Sequence, residues 1–241
     1  MPFVFVQSLN GFQQVVVHCE HQQQLLKRYS NRKIFVIQNG VFPDHAIAER
    51  NFSTNDIQLI YIGHTKASKG VDSLLRIVAL LRKKCQIRLI FAASGFGGMA
   101  ETKVLINELG ISDIIEFKAE INVFDELCKA HMLIVPLRTC VGTTLCPNVL
   151  VEATSVGTPF AVTDFSELSE LLQNQKNGIV IDHSSLEESA QRIANVLLDE
   201  SRMKEISNHQ LDYFRKHLTL DAFSKNYKNM LMEGYQNNEK C

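Results

Sequence analysis

Apolar residues along this 241-residue chain fall into short unbroken runs separated by longer stretches of helical spacing. The runs at 15–17, 33–37, 59–63, 87–93, 114–117, 132–136, 160–163 and 178–181 read as strands. Helices are predicted over 21–29, 70–84, 100–109, 123–130 and 168–173, from Pro147 onward, and through most of 185–235. In the second of these, Val71, Leu74, Leu75, Val78 and Leu81 repeat at the helix period. Strands that are apolar throughout have no face for water, so they belong to a parallel sheet covered by helices on both sides. The expected fold is therefore α/β and Rossmann-like, with one parallel sheet within 39–185. The polar, irregular stretch 42–56 reads as a linker, and the chain shows no internal repeat.

Composition narrows the function classes. Basic and acidic side chains number 25 and 26, a formal net charge of −1, so there is no electrostatic footprint for nucleic acid. No apolar run approaches the roughly 18 residues of a membrane span, and the first residues lack the basic start and long apolar core of a secretion signal. Six cysteines without a Cys-x-x-Cys pair suit reduced thiols in a cytoplasmic protein.

The densest chemistry lies between Thr143 and Asp164. Thr144 or Cys146 is placed to cap a helix, Pro147 suits its first position, and Gly157-Thr158-Pro159 ends it. Free amides at such a start attract phosphate, and Glu152 stands close behind as an acceptor. The plainer reading is an ordinary capped helix. Three other strand ends carry suggestive residues, and ligands in open parallel sheets bind at strand carboxyl ends. They are Gly63 to Gly70 with His64 and Lys69, Ser94 to Gly98 with Gly95, and Lys118 to Ile121 with Glu120.

Several segments match a known pattern in order. Asn39-Gly40-Val41 resembles the interdomain "NGV" turn, and Tyr61-Ile62-Gly63 with Lys69-Gly70-Val71-Asp72 resembles "VGR…KGVD". Ser94-Gly95 falls at "GDG", and 131–136 at "ADVFVLPS". Pro147 to Ala153 resembles "PNVLLEAMA", 157–164 "GKPVVATD", and Asn177-Gly178-Ile179 "TGLLV". Over roughly 15–235 the chain thus resembles the carboxyl-terminal half of a GT-B glycosyltransferase of the retaining, nucleotide-sugar-dependent family 4 type.

That resemblance implies a site for a nucleotide-diphosphate sugar, with no metal and no other cofactor. Lys69 and the helix start would clamp the diphosphate, and Glu152 would hold ribose hydroxyls. Gly63, His64, Ser94, Gly95, Glu120, Thr144, Pro147, Asn148 and Val149 would line the donor site. Lys69 and Pro147 are expected around one cleft, not on opposite faces of the sheet, and Asn148, Glu152 and Ser155 should form a polar stripe along it.

The chain departs from the family at Thr144, where the pattern has its first glutamate, and at His64, where it has arginine. Residues 1–38 resemble only the end of an acceptor-side domain, 39–195 the donor domain, and 196–241 the terminal helices that cross back. The implied activity is glycosyl transfer with this chain as donor half, its partner a separate acceptor domain or subunit, with peripheral membrane contact as a further option. The alternatives are a nucleotide-sugar binding module without turnover and, from another class, a sugar-nucleotide epimerase.

Overall fold

The computed structural model describes residues 11–42, 50–53, 55–139, 147–173 and 175–238, with the backbone alone for 94–97 and 234–238. Strands β1 (Gln14–Val17) and β2 (Lys33–Val36) flank helix α1 (Glu20–Lys27) and pair in parallel as a separate two-stranded sheet. The main unit follows as β3 (Ile57–Thr65), α2 (Val71–Arg82), β4 (Ile87–Gly97), α3 (Met99–Glu108), β5 (Ile115–Lys118), α4 (Val123–Lys129) and β6 (Met132–Val135). It continues through α5 (Asn148–Ser155), β7 (Phe160–Thr163), α6 (Ser169–Leu172), β8 (Gly178–Ile181), α7 (Leu186–Leu197), α8 (Glu200–His217) and α9 (Leu220–Asn238).

The six strands of the main unit form one parallel sheet in the order β5-β4-β3-β6-β7-β8. Alternate residues feed two cores. Leu59, Tyr61, Met132 and Ile134 pack with α2 and α7, while Ile60, Leu133, Val135, Phe160 and Val162 pack with α4, α5 and α8. All four residues of β6 are buried, so neither face can be polar, which is what its unbroken apolar run requires. At about 1.5–3 kcal/mol for each fully buried aliphatic side chain, these layers dominate the energetics.

Strand order reverses between β3 and β6. From β3 the chain moves outward to β4 and β5; it returns at β6 and then moves the other way. Loops leaving such neighbouring strands in opposite directions open a crevice between them.

Two strands run further than their sequences suggest. β3 continues through His64 to Thr65, and β4 continues through Gly95 to Gly97, with a bulge where the register passes from His64↔Ser94 to Thr65↔Gly97. Glycines that look like a turn in isolation are held extended here by pairing to β3. The terminal helical stretch divides into three helices, α7 to α9.

The last helix returns to the small sheet. Gln14 Nε2 donates to the Met230 carbonyl at 3.2 Å, and Lys33 pairs with Glu233. The chain crosses between the units at Gly40, where a Cβ would lie 2.8 Å from Cβ of Phe223 and 2.9 Å from the Thr219 carbonyl oxygen. Only glycine fits there. Val41 N–H then donates to the Leu218 carbonyl at 2.9 Å.

Candidate functional site: the crevice at the strand reversal

The loop after β3 is shaped from beneath by Tyr61. Its ring is buried, and its hydroxyl donates to the His64 carbonyl at 2.5 Å. A Cβ on Gly63 would stand 2.9 Å from that hydroxyl, so the smallest residue lies directly over it. Burial pushes the Tyr61 phenol well above its usual range, keeping it a neutral donor. A short 3-10 turn, Ala67–Lys69, then leads to Gly70, which has φ 69° and caps α2. A Cβ on Gly70 would be 1.7 Å from the Pro136 carbonyl oxygen. The positive φ and the close approach both demand glycine, and together they seat the Lys69 loop on the end of β6.

Lys69 is half-buried. Burial, and then the charge of neighbouring Lys66, lower its pKa. Among the described residues its ammonium has neither a hydrogen bond nor an ion pair. An anion placed here would relieve both penalties.

Across the reversal, α5 begins. Pro147 takes the cap position, one place before its expected role as first helical residue, and its carbonyl accepts from Leu150 N–H at 2.9 Å. Among the described residues no side chain caps this end, and the first amides of a helix are an anion-binding group. Asn148 is exposed, and its Oδ1 accepts from Asn39 Nδ2 at 3.1 Å, which brings the turn between the two units to the same helix start. Val149 is partly buried against the second core.

Glu152 lies one turn further on, half-buried. Burial raises its pKa, and among the described residues its carboxylate has no partner. Ser155, expected to continue the polar stripe, is instead fully buried and donates to the Glu152 carbonyl at 2.7 Å. A small hydroxyl that satisfies its own helix can sit inside the core.

The rear of α5 is held by a residue the sequence did not single out. Arg50 donates to the carbonyls of Leu127, at 3.1 Å, and of Ala130 at the end of α4. It also donates to the Val156 carbonyl at 3.5 Å and to the Thr158 hydroxyl at 2.9 Å, at the end of α5. Burial pushes its pKa down to about 10, which still leaves it a cation.

Lys69 and Pro147 stand on loops whose helices, α2 and α5, cover opposite faces of the sheet. The expectation that they would not flank opposite faces therefore fails for the helices. The reversal of strand order is the reason: chain leaving β3 and β6 must diverge, and the crevice opens over the edge between them. Contact across that edge is direct, since Arg138 N–H donates to the Ser68 carbonyl at 2.9 Å.

Of the remaining expected residues, Gly63 and His64 pair with Ala93 and Ser94, which places the backbone of Ser94 and Gly95 beside the β3 loop. Glu120 is exposed after β5, the edge strand, two places from β3. Thr144, with Cys146, lies outside the described residues. Among the described residues no group of three or more His, Cys, Asp or Glu side chains could hold a metal, and no helix is long and apolar enough to cross a membrane.

Comparison with known proteins agrees with this geometry. The model of the family "glycosyl transferases group 1" matches residues 44–212. The chain belongs to that family. A curated relative from Mycobacterium tuberculosis, a GDP-mannose-dependent alpha-(1-6)-phosphatidylinositol monomannoside mannosyltransferase, is 25% identical over 142 residues, 56% of this chain and 36% of the relative. The chain thus spans about a third of that protein's length. Among solved structures, Anabaena HepE in complex with UDP and glucose superposes with TM-score 0.79 at 17% identity, covering 95% of this chain and 66% of HepE. The GtfA/B complex gives 0.78 at 15%, covering 96% and 47%. At these identities the structures establish the fold, that of a GT-B Rossmann-like domain.

Proposed function

We propose that this family member binds a nucleotide-diphosphate sugar in the crevice and supplies the donor half of a retaining, metal-independent glycosyl transfer. The observation that carries the reading is the strand reversal, beside which stand a lysine with no partner among the described residues and the start of α5. As the glycosidic bond breaks, negative charge grows on the leaving diphosphate. Lys69 and the first amides of α5 are placed to offset it from fixed positions. Glu152, with no partner for its carboxylate among the described residues, suits the two vicinal hydroxyls of a ribose. The relative's GDP-mannose dependence and the UDP held by HepE support the donor class without choosing the nucleotide.

The same reading divides the chain at 1–38, 39–195 and 196–241 and places it in the cytoplasm. The acceptor side comes from another domain or subunit, a reading the GtfA/B assembly supports.

Calorimetry with UDP and GDP tests the site. Glu152→Gln should weaken binding by about 1–3 kcal/mol, the range for hydrogen bonds to a charged group. The Glu152 carboxyl is raised by burial, so acidification should remove its charge above the ordinary glutamate range. Parental affinity should then fall with decreasing pH more steeply than that of Glu152→Gln. Equal affinities in the two proteins at neutral pH would take Glu152 out of the site.

A further inference from the structure

We infer that Arg138 and His183 are positioning residues that hold the Lys69 loop in register with the β6–α5 connection. The connections after three strands, β3, β6 and β8, meet in one hydrogen-bonded ring, with Thr163 at the end of β7 beside it. An Arg138 Nη2–H donates to Ser73 Oγ at 3.2 Å, and Ser73 Oγ lies 3.0 Å from His183 Nδ1. His183 Nε2 lies 2.9 Å from the Leu137 carbonyl oxygen and 3.1 Å from Thr163 Oγ1. Leu137 immediately precedes Arg138, so the ring closes.

For a neutral imidazole, one tautomer serves the cycle. A carbonyl can only accept, so Nε2 carries the hydrogen toward Leu137. Nδ1 then accepts the Ser73 hydroxyl hydrogen, and the serine oxygen accepts from the guanidinium. Arg138, Ser73 and His183 each donate once, and the Leu137 carbonyl accepts at the end. Ser73 is fully buried in the first turn of α2, so the ring grips the helix that follows Lys69 and Gly70.

Arg138 grips the same segment twice more. Its Nε donates to Asp72 Oδ1 at 3.1 Å, its Nη2 binds Asp72 Oδ2, and its backbone N–H reaches the Ser68 carbonyl. Lys69 is thereby bracketed between Ser68 and Asp72, both held by one arginine of the β6–α5 connection. Together with the close approach of Gly70 to Pro136, this ties the Lys69 loop to the β6–α5 connection across the strand reversal. Arg138 and His183 also border an open cavity of about 610 Å³. Removing either side chain therefore widens solvent space and leaves both cores filled.

This inference rests on the nucleotide-sugar reading, and two measurements separate the two. In the unliganded protein, hydrogen exchange of the amides of 68–73 should speed up in His183→Ala and Arg138→Ala, while amides of β4 stay as slow as in the parent. In calorimetry each substitution should lower affinity for UDP or GDP roughly three- to tenfold, with uridine and guanosine unaffected. Combined with Lys69→Ala, neither should cost anything more, because a bracket acts only through what it holds. His183→Asn, which keeps an acceptor for Ser73 and loses the link to Leu137, should exchange at an intermediate rate. Unchanged exchange at 68–73, equal losses for nucleoside and nucleotide, or additive losses in the double variants would each overturn the bracket alone. A parent protein that binds nucleosides as well as nucleoside diphosphates would overturn the donor reading, and the bracket's role in binding with it.

Discussion

The described residues form two parallel sheets that obey the same pairing rules and are secured very differently. In the six-stranded sheet both faces are covered, and buried side chains from every neighbouring helix interlock. In the two-stranded sheet, by contrast, β1 buries only Val17, and among the described residues its cluster has just Val17, Leu26 and Ile34 at its centre. An isolated pair of strands is marginal in water. The small sheet is instead moored by polar contacts that reach it from the larger unit. The Glu170 carboxylate accepts the Glu20 N–H at the start of α1 and Gln38 Nε2–H at 2.7 Å, and Tyr213 Oη donates to Gln38 at 2.9 Å. Shape is specified where apolar packing is redundant. Where it is sparse, placement depends on a few nameable hydrogen bonds.

Substitutions can break this contrast. The largest effect is expected from Gly70→Ala, in the well-packed unit. A left-handed backbone conformation costs about 1–2 kcal/mol for an L-residue, and forcing extra volume into a tight contact about 1–3, so a loss of roughly 2–5 kcal/mol should appear in denaturant unfolding. A loss below 1 kcal/mol would show that the β3 loop yields easily and that redundancy does not make this unit rigid.

Glu170→Ala should do less and do it elsewhere. Losing hydrogen bonds to a half-buried carboxylate should cost roughly 1 kcal/mol, seen as about fivefold faster amide exchange at 14–17 and 33–36 with no change in β3 or β6. Equal acceleration in both sheets would erase the distinction. The smallest effect belongs to Lys33→Met. It removes an exposed ion pair with Glu233, and exposed pairs contribute under about 1 kcal/mol. The strand exchange rates should scarcely move.

Much of the larger unit was legible because unbroken apolar runs have few alternatives: β6, β7 and β8 lie where their sequences place them. The far ends of β3 and β4 were not. His64, Gly95 and Gly97 carry loop-like local signals, and only pairing with a neighbouring strand keeps them extended. Lys69, Pro147 and Glu152 were singled out through short patterns of residue types, and the structure puts the elements that carry them on either side of the strand reversal. The ring of Ser73, Leu137, Arg138 and His183 was invisible, since its members come from three separate strand ends and no local rule joins them. Glu120 shows a further limit: it follows a strand like the others, and only the strand order reveals that this strand is the sheet's edge. Ser155 followed from helical periodicity alone, which cannot register that a small hydroxyl is content among apolar neighbours.

The placement of Arg50 changes what α5 can do to an anion. A helix of eight residues is about 12 Å long, so a ligand at its front is attracted by roughly half a positive charge and opposed by roughly half a negative one only that far behind. In so short a helix the two poles cancel much of each other's field. The Arg50 guanidinium, bound to the carbonyl of Val156 at the negative pole, supplies a compensating cation there. The helix then behaves less as a dipole and more as a single positive pole, whose attraction falls off more slowly with distance. A residue at the back of the sheet thus lets one of the shortest helices in the molecule reach an approaching anion as a much longer helix would.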